Sequence, residues 1–334
     1  MSAPSEAAAD RRTIVITGAS SGIGLDAAKK LVDMGHKVYL ACRTEAKAKE
    51  AKAATGAAWA SACDLSSLDS VRNFAKTWGS TPIDSLCLNA GVAPSTKGSA
   101  RYTAEGFEMA FGTNHLGHFL LANLLQKASP PACPGQLQAL PRSRLVVTAS
   151  SVHDPDTPGG DVGSKATLGE LAGLERWCRG GGQFDMVDGE VYDGDKAYKD
   201  SKLCNVLFTR EAERRLTAAS SKVTANCFSP GLITSTGLFR NQDPAFVKAF
   251  DFAATNILKV AASVSKGGDT LTYMAQSPDV EKVAGGAFWA TPPGKPTSPF
   301  AVRDVSVEAR DGAKARRLWE LSAQATGLKM PTAI

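Results

Sequence analysis

The chain has 334 residues, 43% hydrophobic and 21% charged, which is the make-up of an ordinary globular protein with material for a large core. Its net charge of +5 is spread without a basic block, which argues against nucleic acid as a partner, although the sign suits an anionic cofactor or a membrane surface. Seven cysteines with no CxxC pair, and four histidines with no cluster of further ligands, argue against a disulfide framework and against a metal site.

No segment reaches the ~18–20 apolar residues that span a bilayer. Residues 1–11 read as a disordered tail; the first ten are rich in Ala and Ser, and they match neither a signal peptide nor an intact transit peptide. Residues 12–330 read as one domain. Within it lie a Gly-, Asp- and Pro-rich insertion over about 152–195 and a lid-like helical segment over about 235–262.

Thr13-Ile14-Val15-Ile16 is an apolar, β-branched run and predicts a buried strand. Thr17-Gly18-Ala19-Ser20-Ser21-Gly22-Ile23-Gly24 follows at once, and a helical pattern then runs from Leu25 to Met34. Glycines 18, 22 and 24 permit a tight turn, close approach of a ligand to backbone, and close helix–strand packing. The helix start offers unpaired N–H groups to a phosphate, so Gly18, Ser20, Ser21, Gly22, Ile23 and Gly24 are expected to bind a dinucleotide.

A second strand, Lys37 to Cys42, ends in Arg43, with Lys47 beyond it. Cations where an acidic residue would hold a ribose hydroxyl predict NADPH, whose extra 2′-phosphate they suit. A third strand over Ala58–Ala62 places Asp64 and Leu65 beside the adenine. The fourth, Ile83–Leu88, ends in Asn89-Ala90-Gly91, a turn that can pass under the cofactor.

One long helix is expected over Phe107–Leu125, where the buried Asn114 needs hydrogen-bond partners. A fifth strand, Leu145–Ala149, ends in Ser150-Ser151, and a short helix is expected near Leu168–Trp177. Tyr198 and Lys202 share one face of a helix continuing through Leu216, so the ammonium can lower the phenol's pKa towards the working range.

A sixth strand over Val223–Phe228 leads to Pro230, Gly231, Ile233 and Thr234 as further cofactor contacts. Phe239, Phe246, Phe250 and Phe252 recur at helical spacing, as core or as a lid over an apolar ligand. A helix over Ser265–Ser277, a seventh strand over Ala287–Ala290 and a charged C-terminal helix complete the chain. The fold class is α/β: a single doubly wound Rossmann-type domain whose central, mostly parallel sheet has about seven strands, with helices on both faces.

The glycine-rich turn, Asn89-Ala90-Gly91, Asn114, Ser151, Tyr198 and Lys202 together resemble the short-chain dehydrogenase/reductase family over roughly residues 12–300. That resemblance implies Tyr198 as proton donor, and Lys202 as the group that lowers its pKa and binds the nicotinamide ribose. It also implies Ser151 as the residue orienting the substrate, with Ser150 competing, and Asn114 holding a relay water.

Tyr198-Lys199-Asp200-Ser201-Lys202-Leu203-Cys204-Asn205 is further similar to the signature helix of the light-dependent protochlorophyllide oxidoreductases. So are Thr103–Glu108, Gly112–Phe119, Thr236–Arg240 and, in the insertion, Phe184–Gly189. The similarity implies reduction of the C17–C18 double bond of protochlorophyllide by NADPH and light, in a chloroplast, or in the cytoplasm of a bacterium. Peripheral membrane contact and self-association stay open.

The chain departs from that pattern in three places. Leu232 stands where the family commonly has a cysteine, the turn before the cofactor reads Cys87-Leu88-Asn89, and Ser150-Ser151-Val152-His153 looks more like the retinol and carbonyl reductase branch. The alternatives are a dark NADPH-dependent carbonyl reductase of apolar substrates and a non-catalytic pigment carrier.

Overall fold

The structure, a computed structural model, describes residues 11–79, 81–126, 143–292, 294–295 and 297–329; of Phe246 it describes the backbone alone. Apart from Arg11, the expected tail lies outside the described residues.

β1 (Thr13–Thr17) shows how the sheet is built. Ile14 and Ile16 enter one apolar cluster and Val15 the other, so the strand is buried on both faces and its sequence is continuously apolar. β2 (Lys37–Cys42), β3 (Trp59–Ala62), β4 (Ser85–Leu88), β5 (Arg144–Thr148), β6 (Thr224–Ser229) and β7 (Phe288–Ala290) extend it in parallel. β8 (Ala301–Arg303) closes the edge antiparallel to β7. The order is β3-β2-β1-β4-β5-β6-β7-β8. The eighth strand exceeds the sequence expectation because three residues, two of them exposed, carry too little pattern to read.

The helices in chain order are α1 (Gly22–Asp33), α2 (Glu45–Thr55), α3 (Leu68–Trp78), α4 (Gly117–Gln126) and α5 (Ala172–Gly180). Beyond them lie α6 (Gly194–Ala218), α7 (Pro244–Phe252), α8 (Val264–Gln276) and α9 (Gly312–Ala325). Ala27, Ala28 and Leu31 of α1 and Leu271 and Met274 of α8 cover one face of the sheet. Phe74 of α3, Phe119 and Leu120 of α4, Leu203 and Leu207 of α6, and Trp319 of α9 cover the other.

The winding reverses between β1 and β4, and the carboxyl ends of the strands diverge there into a crevice. Away from that crevice, the fully buried Arg144 donates to the carbonyls of Met274 (3.0 Å) and Ser277 (3.1 Å) and to the Glu281 carboxylate (2.5 Å). Glu281 also accepts from Arg12 at 2.8 Å.

The long helix expected over Phe107–Leu125 forms from Met109 to Gln126, with a π-helical stretch inside it. Phe107 forms an isolated bridge with Phe184, residues Phe111–Leu116 make the π-turn, and α4 is the part from Gly117 on. Gly117 lies so close to the end of β3 that a Cβ would sit 2.3 Å from the Leu65 carbonyl oxygen. The helix can pass there only with a glycine, and the wider π-turn before it sets the direction of Asn114.

Lys199 and Asp200, inside the Tyr198–Lys202 stretch, turn away from the crevice. Lys199 donates to the carbonyls of Val162 and of Ser164 (2.8 Å) and pairs with Asp195 at 3.0 Å. Asp200 accepts from the Thr167 amide (3.0 Å) and pairs with Lys196 at 2.5 Å. Together they tie the 162–168 part of the insertion to the helix that carries Tyr198.

Candidate active site

The glycine-rich turn folds as its sequence suggests. Gly18 takes φ +67°, and a Cβ there would lie 2.7 Å from the Ala90 Cα; one at Gly24 would lie 2.6 Å from the Gly18 carbonyl oxygen. Ser21 is the N-cap of α1, yet its side chain makes no capping bond, so the first-turn N–H groups stay open to an anion. The site therefore fits the pyrophosphate of a dinucleotide, by backbone rather than by side chain.

One cleft of about 220 Å3 opens at the strand ends. Gly18, Ser20, Ser21, Gly22, Ile23, Gly24, Arg43, Lys47, Asp64 and Leu65, all singled out by the sequence, are among the residues that line it. Asn89, Ala90, Gly91, Tyr198, Lys202, Pro230, Gly231 and Ile233 line it as well. Thr234 does not: it is buried, and its hydroxyl bonds the Asp251 carboxylate. Thr236, two residues further on, lines the cleft instead.

Thr17, at the end of β1, organises the turn under the cleft. Its hydroxyl accepts from the Asn89 (2.9 Å) and Ala90 (3.0 Å) amides and meets His118 Nε2 at 2.8 Å. His118 Nδ1 in turn meets the Asn114 carbonyl at 3.0 Å. His115 meets the Ser322 hydroxyl at 2.9 Å. Burial lowers both imidazoles, to about 3 for His115 and about 4 for His118, so these two neutral rings are spent on structure.

Asn114 stands just behind Gly91. Its Oδ1 accepts from the Val92 amide (2.8 Å), and its Nδ2 donates to the Val92 carbonyl (2.9 Å) and the Ser201 hydroxyl (2.9 Å). Ser201 passes the connection on, donating to the Tyr198 carbonyl at 2.6 Å. Asn114 thus fixes the catalytic-helix backbone to the loop after β4 and does not line the cleft.

At the reacting end the serine assignment changes. Ser150, not Ser151, lines the cleft and hydrogen-bonds the Tyr198 phenol. The reason is local: Ser150 is the extended residue capping the single helical turn Ser151–His153. Ser151 is drawn into that turn, where its amide donates to the Ser229 hydroxyl (3.2 Å) and its carbonyl accepts from Thr157 (2.9 Å).

The pairing of Tyr198 with Lys202 also differs from expectation. The ammonium lies 5.6 Å from the phenol ring centroid and donates to the Thr148 carbonyl at 3.2 Å. Burial raises the Tyr198 phenol above its ordinary range, and the bond from Ser150 only partly opposes this. Burial also lowers Lys202, to about 8. At neutral pH the pair is a protonated phenol beside an ammonium, the state from which a proton can be given.

Sequence reasoning passed over Val92, Thr113, Thr148, Ala149, Cys63 and, from the segment after β6, Thr236, Gly237, Leu238 and Arg240 as cleft-lining residues. Thr236–Arg240 belongs to a conspicuous motif, but nothing in its pattern says which way the segment folds. Leu232 does not line the cleft; it is half-buried and bridges to Ala261, so no thiol stands there. Among the described cysteines Cys63 lines the cleft, beside Asp64 and Leu65, while Cys227 is buried in β6 on the α6 side of the sheet.

A doubly wound sheet with a phosphate-binding turn, an Asn behind it and a Ser–Tyr–Lys group at the carboxyl ends defines a nicotinamide-dependent oxidoreductase. The sequence profile of the family described as short chain dehydrogenase matches residues 12–132. A protochlorophyllide reductase of Avena sativa is 40% identical over 323 residues, covering 94% of this chain and 99% of the relative. The chloroplastic protochlorophyllide reductase of Marchantia paleacea is 38% identical over 333 residues, covering 97% of this chain and 70% of the relative. The chain belongs to the short-chain dehydrogenase family, in its protochlorophyllide reductase branch.

Solved structures agree on the fold. A crystal structure of a Mycobacterium paratuberculosis protein matches with a TM-score of 0.66 at 30% identity, covering 97% of this chain and 98% of that one. The NADH complex of a 3-ketoacyl-(acyl-carrier-protein) reductase from Brucella melitensis matches with a TM-score of 0.56 at 18% identity, covering 84% and 96%.

Proposed function

We propose that this chain reduces the C17–C18 double bond of protochlorophyllide to chlorophyllide with NADPH and light, in the chloroplast. The observation that carries the reading is the Ser150–Tyr198–Lys202 group at the mouth of the cofactor cleft, in a chain related along almost its whole length to protochlorophyllide reductases. Arg43 and Lys47 at the end of β2 favour NADPH over NADH, because a 2′-phosphate meets two cations there.

NADPH, when bound, supplies the hydride. Tyr198 supplies the proton: its O–H bond breaks as a C–H bond forms at the other carbon of the double bond, so hydride and proton complete the reduction. Ser150 then holds the phenolate by donating its hydroxyl, and the Lys202 ammonium stabilises the same negative charge. Leu232 does not line the cleft and has no ionisable group, so this reading takes Tyr198 as the proton source. Asn114 and Ser201 keep the Tyr198 backbone in place.

The test is to mix purified protein with NADPH and protochlorophyllide in darkness, illuminate, and follow the pigment absorbance. A red shift that requires both light and NADPH is expected. Reduction of retinal or another apolar carbonyl in the dark, with no pigment shift on illumination, would overturn the reading. Tyr198→Phe should lower turnover by about 100-fold or more while leaving NADPH binding within about two-fold.

A further inference from the structure

Residues 232–262 form a closed excursion between β6 and α8. Its base is fastened where Leu232 bridges Ala261 and the Ala262 amide donates to the Leu232 carbonyl at 2.7 Å. Its leading edge is fastened across the cleft: Asn241 donates to the Ala93 carbonyl (2.9 Å) and Gln242 to the Pro94 carbonyl (2.7 Å). Between these two anchors the chain passes over the start of α1, where a Cβ on Gly22 would meet Thr236 Cγ2 at 3.4 Å.

Arg240 is the last residue before the second anchor, and it lines the same cleft as Arg43 and Lys47. Its guanidinium donates to the Gly237 carbonyl at 3.0 Å, within its own turn. No carboxylate pairs with Arg43, Lys47 or Arg240 among the described residues. The acidic side chain on the cleft wall, Asp64, is occupied in accepting from the Ser66 amide (3.0 Å) and hydroxyl (2.7 Å). Glu45, at the start of α2, is likewise held by the Ala62 amide at 2.8 Å.

Burial, and after it the charges of Arg43 and Arg101, lower the Arg240 guanidinium from its ordinary range. Cations brought together from β2, α2 and the excursion, with none of them in an ion pair among the described residues, form a site that suits an anion.

We propose that Arg240 is a specificity residue for NADPH, meeting the cofactor's 2′-phosphate together with Arg43 and Lys47. The inference rests on the NADPH reading above and adds to it a residue from the segment that follows β6. It also gives the 232–262 excursion a role, because the phosphate ties the leading edge of that segment to β2. A guanidinium suits this task better than an ammonium, since its planar fork can meet two phosphate oxygens at once.

The test is the dissociation constant of NADPH and of NADH for the full chain and for Arg240→Ala, Arg240→Lys and Arg43→Ala, read by nicotinamide fluorescence without substrate. Arg240→Ala is expected to weaken NADPH about ten-fold or more and to leave NADH within about two-fold. Arg240→Lys should fall between. If the alanine variant folds poorly by thermal melting, Arg240→Gln supplies the same comparison with the stem retained.

An unchanged NADPH-to-NADH ratio in the Arg240 variants, whether both affinities hold or both fall together, overturns the inference. If Arg43→Ala also leaves the ratio unchanged, it is the NADPH reading itself that fails.

Discussion

Tyr198 sits where burial and a hydrogen bond compete, and burial wins. A phenol kept protonated is the right starting state for the proton transfer proposed for Tyr198, so no lowering by Lys202 is needed before that step. The cation becomes useful afterwards, when a phenolate has formed on a ring whose centroid lies 5.6 Å from an ammonium, and a pKa of about 8 leaves that ammonium mostly charged at neutral pH.

Ser150 is placed to share that charge, and Ser151 is not. Replacing Ser150 by Ala should therefore lower turnover about 100-fold, the usual loss for a donor aimed at developing charge. Ser151→Ala should stay within about three-fold, because its hydroxyl does not line the cleft. Steady-state turnover of the two variants, measured side by side, decides between adjacent serines that sequence alone leaves in competition.

At the scale of elements, the site depends on where helices are interrupted. The π-turn of Phe111–Leu116 aims Asn114 at Val92 and Ser201, and Gly117 lets α4 pass the end of β3. A methyl group at Gly117 has no room to relax, since the atom it meets is the Leu65 backbone oxygen rather than the end of a flexible side chain. Gly117→Ala should cost about 1–3 kcal/mol, seen in chemical denaturation. Because Leu65 lines the cleft, the same variant should bind NADPH more weakly. Unchanged stability together with unchanged binding would refute this account of the turn.

Within α6, the faces divide the labour. Tyr198 and Lys202 look into the cleft, while Lys199 and Asp200 hold the insertion through Val162, Ser164 and Thr167. The motif reads as one unit in sequence, but only half of it touches the site.

Across the whole molecule, the sheet separates chemistry from anchoring. The cleft occupies the carboxyl ends of the strands, and away from it Glu281 joins Arg12 to the buried Arg144. Burial pushes the Glu281 carboxyl up, but its bonds to Arg12 and Arg144 outweigh this and hold it below its ordinary 4.5. A carboxyl lowered on folding stabilises the native state above its unfolded pKa, and that contribution is lost as pH falls through the lower folded value.

Glu281→Gln should thus cost roughly 3 kcal/mol at neutral pH, because it leaves Arg144 buried beside an uncharged partner. The deficit should begin to shrink as pH falls below the ordinary 4.5, where the carboxyl of the unfolded chain takes up its proton, and should be gone once pH has passed through the lower folded value. Denaturant midpoints for both proteins at pH 7 and pH 4 provide the comparison. A loss that does not change with pH would mean that packing, and not charge, is what Glu281 contributes.

The amino-acid order determined the strands, the glycine turn and the class of cofactor, because each is a local property. Continuous apolar runs can be satisfied only inside a sheet covered on both faces, and glycines at 18, 22 and 24 mark a backbone that must approach a phosphate. Tyr198 with Lys202 was legible for the same reason, four residues being one helical turn.

Tertiary structure alone decided which of two neighbouring serines faces the phenol, where the Phe107–Leu125 helix widens to π geometry, and that Arg240 joins the cleft. Those outcomes depend on contacts between distant segments: Ser151 with Ser229, Gly117 with Leu65, and Asn241 with Ala93. Each such contact is chosen by steric fit and hydrogen bonding between parts of the chain that no local pattern relates.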